Sequence, residues 1–168
     1  DLTVFENWLQ ELSSPAPFQG VNNVSAVEGL LYINYREGEV LGTYLRSNTG
    51  WVLINSGADI LELSESENGL VVNTNYFIDI KAIDGSSVEI INNYGNDRPF
   101  RISQARLDSE DNLWIADSES GLVRYNASSG FEFIEVSGPG TNSAFKLELS
   151  DGRLWVASGY PQHPGNWN

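Results

Sequence analysis

Carboxylates and a single histidine are the side chains of this sequence that could do chemistry. The acidic run Asp108-Ser-Glu-Asp-Asn112 resembles the start of a calcium-binding loop, and Glu119 falls at the twelfth position of that loop. The sixth position, where such a loop needs glycine for its sharp turn, is Leu113. We therefore interpret the run as the turn of a β-hairpin and predict no metal site.

Acid–base catalysis would depend on His163, the only histidine of the chain. It lies between Pro161 and Pro164, and the sequence contains no Gly-x-Ser-x-Gly element that would present a nucleophilic serine. Neighbouring carboxylates such as Glu65 and Glu67 do not by themselves provide two groups facing each other across a cleft, as glycoside hydrolysis needs. We predict that the protein is not an enzyme and binds no cofactor. A propeller-based lyase or glycosidase is the alternative.

The chain is strongly acidic. Its 168 residues include 23 Asp and Glu against 9 Lys and Arg, a formal net charge of −14. The closest basic pair is Arg98 with Arg101, so the sequence has no basic cluster with which to bind nucleic acid or an anionic membrane surface. The absence of cysteine excludes disulfides, thiol nucleophiles and cysteine-ligated zinc. We attribute the acidity to solubility, with a cationic or metal-carrying partner as the alternative.

An internal repeat provides the elements that must position these residues. Four segments share an alternating apolar strand, a tight polar turn and a second strand that starts with leucine, at Leu30, Leu70, Leu113 and Leu154. Their spacings are 40, 43 and 41 residues, and further short strands follow within each unit. A period of this length with about four strands per unit is typical of β-propeller blades. We predict an all-β chain, a partial β-propeller of about four blades of four-stranded antiparallel sheet.

The repeat also predicts where each blade begins. We interpret residues 1–20 as the tail of a preceding blade, residues 21–56, 57–92 and 93–136 as blades, and residues 137–168 as an incomplete blade. In the second blade, Asp84-Gly85 between two alternating runs predicts a hairpin. Because a blade packs only against its neighbours, a partial ring leaves two flanks open, and we expect self-association or membership of a larger ring. The chain begins at Asp1 without methionine, so we interpret it as a fragment.

Loops on a rigid scaffold are where propellers bind ligands, especially loops that join blades and loops between the second and third strands. In this chain those loops are residues 93–101, 118–120, 137–142 and 160–167. We predict a ligand-binding face formed by Asp97, Arg98, Arg101, Asp117, Tyr160, His163 and Trp167. Arg98 and Arg101 are scarce cations in an acidic chain, and they suit a carboxylate or phosphate group of a glycan.

Two tryptophans mark consecutive units of the repeat. Trp114 and Trp155 each follow the leucine that opens the second strand. Exposed tryptophans at this spacing would form a platform for stacking sugars. We instead predict that both pack in equivalent buried positions between neighbouring blades.

The third and fourth units carry a family resemblance. Asp111-Asn-Leu-Trp-Ile-Ala-Asp117, followed by Gly121-Leu-Val-Arg-Tyr-Asn126, resembles the two-component-regulator propeller repeat. Such repeats occur in sensor ectodomains of Bacteroidetes hybrid two-component systems and in the PorZ family of the type IX secretion system. Ser137-Gly-Pro-Gly-Thr-Asn-Ser-Ala-Phe145 and the loop ending at Trp167 resemble PorZ more than the sensors. The resemblance covers residues 102–168 well and residues 21–100 only as degenerate blades.

The resemblance implies a secreted or cell-surface protein with two propellers and a C-terminal β-sandwich. Its implied role is to help type IX cargo become attached to anionic lipopolysaccharide, and it implies no catalytic residues. We therefore expect a non-catalytic module that binds a glycan, lipopolysaccharide or a protein partner, at a secreted, periplasmic or outer-membrane location. The alternative is the periplasmic oligosaccharide-sensing propeller of a hybrid two-component system.

Overall fold

The described part of the chain folds into β-strands. The structure, a computed structural model, describes residues 21–37, 40–47, 50–56, 60–67, 69–135 and 143–158. Within these ranges it contains 14 strands and no helix, and accordingly no helix there is long and apolar enough to cross a membrane. Residues 1–20, which we interpreted as the tail of a preceding blade, lie outside the described residues.

The strands form four antiparallel sheets, which we number as blades 1 to 4 in chain order. Blade 1 contains β1 (Val21–Val27), β2 (Leu30–Glu37), β3 (Val40–Ser47) and β4 (Gly50–Ser56). Blade 2 contains β5 (Ile60–Ser66), β6 (Gly69–Thr74), β7 (Ile78–Ala82) and β8 (Ser87–Ile91). Blade 3 contains β9 (Ile102–Leu107), β10 (Leu113–Asp117), β11 (Gly121–Asn126) and β12 (Gly130–Ile134). The described part of blade 4 contains β13 (Ala144–Ser150) and β14 (Arg153–Ser158).

Within every blade, consecutive strands pair with each other as a meander. The first strands β1, β5, β9 and β13 contact one another in succession, so the innermost strand of each blade lies beside that of the next. This is the arrangement of propeller blades around an axis. The prediction of an all-β, partial propeller-like fold is confirmed.

The hydrophobic core lies between blades rather than inside any one of them. Between blades 1 and 2, Tyr32 and Leu70 are among the buried residues, and both are 0% exposed. Between blades 2 and 3, Val71 packs with Ile115, and between blades 3 and 4, Ala116 packs with Leu147. Each blade therefore buries its apolar faces against its neighbours, as the alternating strands require.

Polar side chains also cross each junction between blades, and the partners differ from one junction to the next. The Tyr32 hydroxyl of blade 1 donates to the Ile83 carbonyl of blade 2 at 2.6 Å. Ser64 Oγ of blade 2 donates to the Ala105 carbonyl of blade 3 at 3.0 Å. Gln104 on β9 contacts both neighbouring blades. Its Nε2 donates to a Glu62 carboxylate oxygen of blade 2 at 2.8 Å, and its Oε1 accepts from the Leu147 backbone N–H of blade 4.

The innermost strand of every blade carries a β-bulge at the same place. One residue after the first paired position, the pairing with the second strand skips a residue. The extra residues are Asn22, Leu61, Ser103 and Phe145. A bulge increases the local twist of a strand and fixes its register. Because it recurs at the same place, the innermost strands of the four blades share the same local twist and the same register with their second strands.

The two predicted hairpin turns are confirmed. The segment Asp108–Asn112 joins β9 to β10, and Asp84-Gly85 joins β7 to β8. The Ser86 hydroxyl and backbone N–H both donate to Asp84 Oδ1, and these hydrogen bonds lower the pKa of Asp84. Gly85 has φ +86°, a left-handed conformation that suits glycine.

The prediction of equivalent burial for the two tryptophans is wrong for Trp155. Trp114 is half-buried against the core between blades 3 and 4, and its Nε1 donates to Asp108 Oδ2 at 2.8 Å. Trp155 is 58% exposed. Trp114 is covered because blade 4 follows it with Leu154 and Val156, whereas no described residue packs as a following blade over β14.

Candidate functional site

One buried carboxylate organises the end of blade 3 at which β10 stops. Asp117 is the last residue of β10 and is 0% exposed. Its Oδ1 accepts hydrogen bonds from the backbone N–H groups of Glu119 at 2.8 Å and Ser120 at 2.7 Å. Its Oδ2 accepts from the Tyr94 hydroxyl and from the Arg101 backbone N–H, both at 2.7 Å. Asp117 therefore joins the linker between blades 2 and 3 to the β10–β11 turn.

Direct contacts between the linker and the turn reinforce this junction. The Ser118 backbone N–H donates to the Arg101 carbonyl at 3.0 Å. The Ser120 hydroxyl donates to the Pro99 carbonyl at 2.9 Å. We call the resulting surface, residues 92–101 and 118–120, the linker surface. Two of the four loops predicted to bind ligands thus form one continuous platform.

Tyr94 anchors the linker in the core. Its ring contacts Phe100 at a centroid distance of 4.8 Å, and Phe131 and Phe133 at 5.3 Å each, all edge to face. Such pairs add stability beyond the area that they bury. Burial raises the pKa of Tyr94, and the nearby negative charge of Asp117 raises it further. The hydroxyl therefore stays protonated as a donor to Asp117.

The two predicted cations lie exposed on the linker surface. The Arg98 guanidinium carbon lies 4.1 Å from the centroid of the Phe133 ring. A guanidinium stacked on a ring keeps its N–H donors in its own plane, where they remain available to an anion. Arg101 Nε lies 3.6 Å from a Glu119 carboxylate oxygen, and these side chains are 64% and 52% exposed. An exposed pair of this kind contributes little stability, so an incoming anion can replace Glu119.

The other predicted site residues are one exposed carboxylate, one buried carboxylate and three residues that the structure does not describe. Asp97 is exposed on the linker surface together with the two arginines. Asp117 lies beneath that surface, and its oxygens are occupied by donors of the chain itself. The remaining predicted residues, Tyr160, His163 and Trp167, lie outside the described residues, as do the loops 137–142 and 160–167.

Sequence reasoning missed the supporting role of Tyr94 and Phe133, and it did not indicate that Asp117 is buried with both oxygens hydrogen-bonded. The repeat held a signal for Asp117, because Thr74 occupies the same place at the end of the second strand of blade 2. Thr74 is also 0% exposed, and its Oγ1 accepts from the backbone N–H of Phe77 at 2.9 Å. A polar side chain at this repeat position thus caps the turn that follows it. No local pattern indicated Phe133, which reaches the linker only through the fold.

Blade 2 contains a buried ion pair beside a serine, which is a second arrangement of residues with possible catalytic chemistry. Lys81 Nζ lies 2.9 Å from Asp79 Oδ2, and their side chains are 3% and 5% exposed. The same ammonium donates to Ser87 Oγ at 3.0 Å and to the Gly85 carbonyl at 3.4 Å. A serine beside a lysine resembles a hydrolytic dyad, but all three ammonium protons have acceptors here. We interpret Lys81, Asp79 and Ser87 as a hydrogen-bonded group that stabilises the β7–β8 hairpin.

The linker surface carries two exposed guanidinium groups, of Arg98 and Arg101, and two exposed carboxylates, of Asp97 and Glu119. Its two guanidinium groups extend from a backbone that Asp117 and Ser120 hold in place. In the described part of the chain, no group of three or more His, Cys, Asp or Glu side chains is placed to hold a metal ion.

Comparison with protein-family models found no match for this chain, and comparison with curated proteins found none.

Proposed function

We propose that this chain is a non-catalytic β-propeller module of a secreted or cell-surface protein and that its linker surface binds anionic glycans. The observation that carries the proposal is the fixed position of Arg98 and Arg101. Both arise from a linker segment whose backbone is hydrogen-bonded to the β10–β11 turn and to Asp117. A binding surface that is already ordered loses little entropy when a ligand arrives.

The ligand class follows from the chemistry of the cations. Guanidinium groups form paired N–H hydrogen bonds with carboxylates and phosphates, which acidic sugars and lipopolysaccharides carry. The acidic remainder of the chain, with a formal net charge of −14, disfavours general adsorption of polyanions and leaves specific sites. The repeat motifs resembling the PorZ family support the same role, attachment of type IX cargo to anionic lipopolysaccharide.

The test is a calorimetric titration of the chain with a phosphorylated or uronate-containing lipopolysaccharide polysaccharide, and with neutral dextran as the comparison ligand. We expect the acidic polysaccharide alone to bind, and the variant R98Q/R101Q to lose about 10- to 100-fold in affinity. That loss corresponds to about 1.5–3 kcal/mol for hydrogen bonds to a charged group. Glutamine keeps most of the aliphatic stem of each side chain and removes the charge, together with the guanidinium that lies over Phe133.

The matched control is R124Q/R153Q, which removes the same charge from β11 and β14. We expect this variant to bind the acidic polysaccharide within about twofold of the parent chain, since both sites lie outside the linker surface. Equal loss in the two double variants would mean that net charge alone governs binding. Equal binding of dextran would contradict the assignment of an anionic ligand.

A further inference from the structure

The end of the propeller opposite the linker surface carries a groove. The β9–β10 and β13–β14 hairpins enclose a hollow of about 430 Å³. A second hollow of about 460 Å³ lies between the β9–β10 hairpin and the ends of β1 and β5. Both are lined by Leu107, Asp108 and Ser109, so they adjoin at the β9–β10 hairpin. We call the two together the hairpin groove; it crosses the first hairpins of all four blades.

The floor of the groove between blades 3 and 4 is apolar. Leu107, Trp114, Leu149 and Leu154 line it, and each is half-buried, with part of its surface open to solvent. The indole of Trp114 is held by its hydrogen bond to Asp108. Burial alone would raise the pKa of Asp108, but hydrogen bonds from Trp114 and Asn112 bring it below its usual value. The Trp114 indole is therefore held in place before any ligand arrives.

The walls of the groove are acidic. Among the described residues that line the two hollows, six are acidic and none is basic. The acidic residues are Glu28, Glu65, Glu67, Asp108, Glu110 and Asp151. Asp108 is occupied by donors of its own hairpin. The other five are exposed, and among the described residues none of them takes part in an ion pair.

Charge and shape together select one kind of occupant. Carboxylates distributed over separate hairpins on both sides of an apolar floor match a ligand that has spaced cations and apolar groups between them. An extended peptide has this form, because lysine and arginine carry long aliphatic stems that cover apolar surface while the charged ends reach acidic walls. A compact metal ion does not, since no described cluster gathers three ligands.

We propose that the hairpin groove docks an extended basic segment of a partner protein, in which lysine or arginine alternates with apolar residues. The groove and the linker surface lie at opposite ends of β10. This strand has five residues, so its two ends are about 13 Å apart. The site does not depend on the proposed glycan-binding role. One module can accordingly hold an anionic glycan at one end and a cationic peptide at the other.

The experiment measures fluorescence anisotropy of a labelled peptide with four Lys-Leu repeats, titrated with the chain at low and at physiological salt. Two comparison peptides replace every lysine by glutamate or every leucine by serine. We expect the Lys-Leu peptide to bind, the Glu-Leu peptide not to bind, and the Lys-Ser peptide to bind about tenfold more weakly, because the apolar floor then lacks a partner.

Variants of the chain locate the site. E110Q/D151N removes two negative charges from the walls of the groove, and we expect it to reduce affinity for the Lys-Leu peptide roughly tenfold. The control E135Q/E148Q removes the same charge outside the groove, and we expect less than about twofold change. Equal losses in both variants, or equal binding of the Lys-Ser peptide, would overturn the proposal, since either would mean attraction to a generally acidic surface.

Discussion

Replacing Asp117 by asparagine tests the organisation of the linker surface at its centre. The carboxylate accepts four hydrogen bonds, two at each oxygen. An asparagine keeps the shape but turns one oxygen into an NH₂ group, which cannot accept. The favoured orientation places this NH₂ at the position of Oδ2, because the Tyr94 hydroxyl can rotate to accept from it. The Arg101 backbone N–H has no such freedom and loses its acceptor.

The cost follows from that geometry. A buried donor left without an acceptor costs about 1–3 kcal/mol, and the remaining hydrogen bonds lose the contribution of the negative charge. We therefore expect D117N to lower the free energy of unfolding by about 3 kcal/mol. D117A deprives all four donors and should cost more, so the order of stability is the parent chain, then D117N, then D117A.

The assay is urea unfolding followed by tryptophan fluorescence, with the midpoint and the denaturant slope fitted for each variant. D97N is the matched control, because Asp97 is exposed and we expect its change to stay within about 0.5 kcal/mol. A D117N variant as stable as D97N would refute the reasoning, since it would mean that the four donors find other acceptors without cost.

Three further predictions concern single positions. Because the pKa of Tyr94 is raised, the folded state keeps the hydroxyl proton above pH 10, where an unfolded tyrosine loses it. The free energy of unfolding should therefore fall as pH rises beyond about 10. The urea midpoint of Y94F should fall less over the same pH range. W155S should unfold within about 0.5 kcal/mol of the parent chain and self-associate less in light scattering, whereas W114S should cost about 3 kcal/mol. G69A should unfold the chain or destabilise it strongly in thermal melts, because its Cβ would lie 1.9 Å from a backbone carbonyl oxygen of β7. The Cβ of G29A would meet no atom within 4 Å. That variant should lower the free energy of unfolding by about 1 kcal/mol, because Gly29 has a φ of +79°.

Much of the fold could be predicted because its determinants are local. The leucine spacing and the short alternating strands repeat within each unit, and hairpins such as Asp84-Gly85 are specified by their own turn residues. The exposure of Trp155 could not be predicted from the same repeat. Its sequence environment matches that of Trp114, and the two differ only in whether a following blade covers them.

The candidate site could be predicted only in part. Asp97, Arg98 and Arg101 were expected on a loop of the propeller scaffold, and all three are exposed there. Their binding of a ligand stays a prediction. Asp117 accepts from two backbone N–H groups of the adjoining turn, which its repeat position indicates. It also accepts from the Tyr94 hydroxyl, 23 residues earlier in the chain, which a local pattern does not indicate. The hairpin groove has the same origin, because its walls come from hairpins of different blades.

The dissimilar polar contacts between successive blades bear on how the chain avoids misassembly. Blades built on one repeat present similar apolar faces, so an incorrect succession or an exchange of blades between molecules would bury nearly the same hydrophobic area. Gln104 and Arg106 of blade 3 both donate to the Glu62 carboxylate of blade 2, at 2.8 and 3.0 Å, and among the described residues these side-chain partners occur at that junction alone. A wrong neighbour would leave these groups partly buried and unpaired. The polar pairs thus encode the order of the blades, a property that the apolar repeat cannot supply.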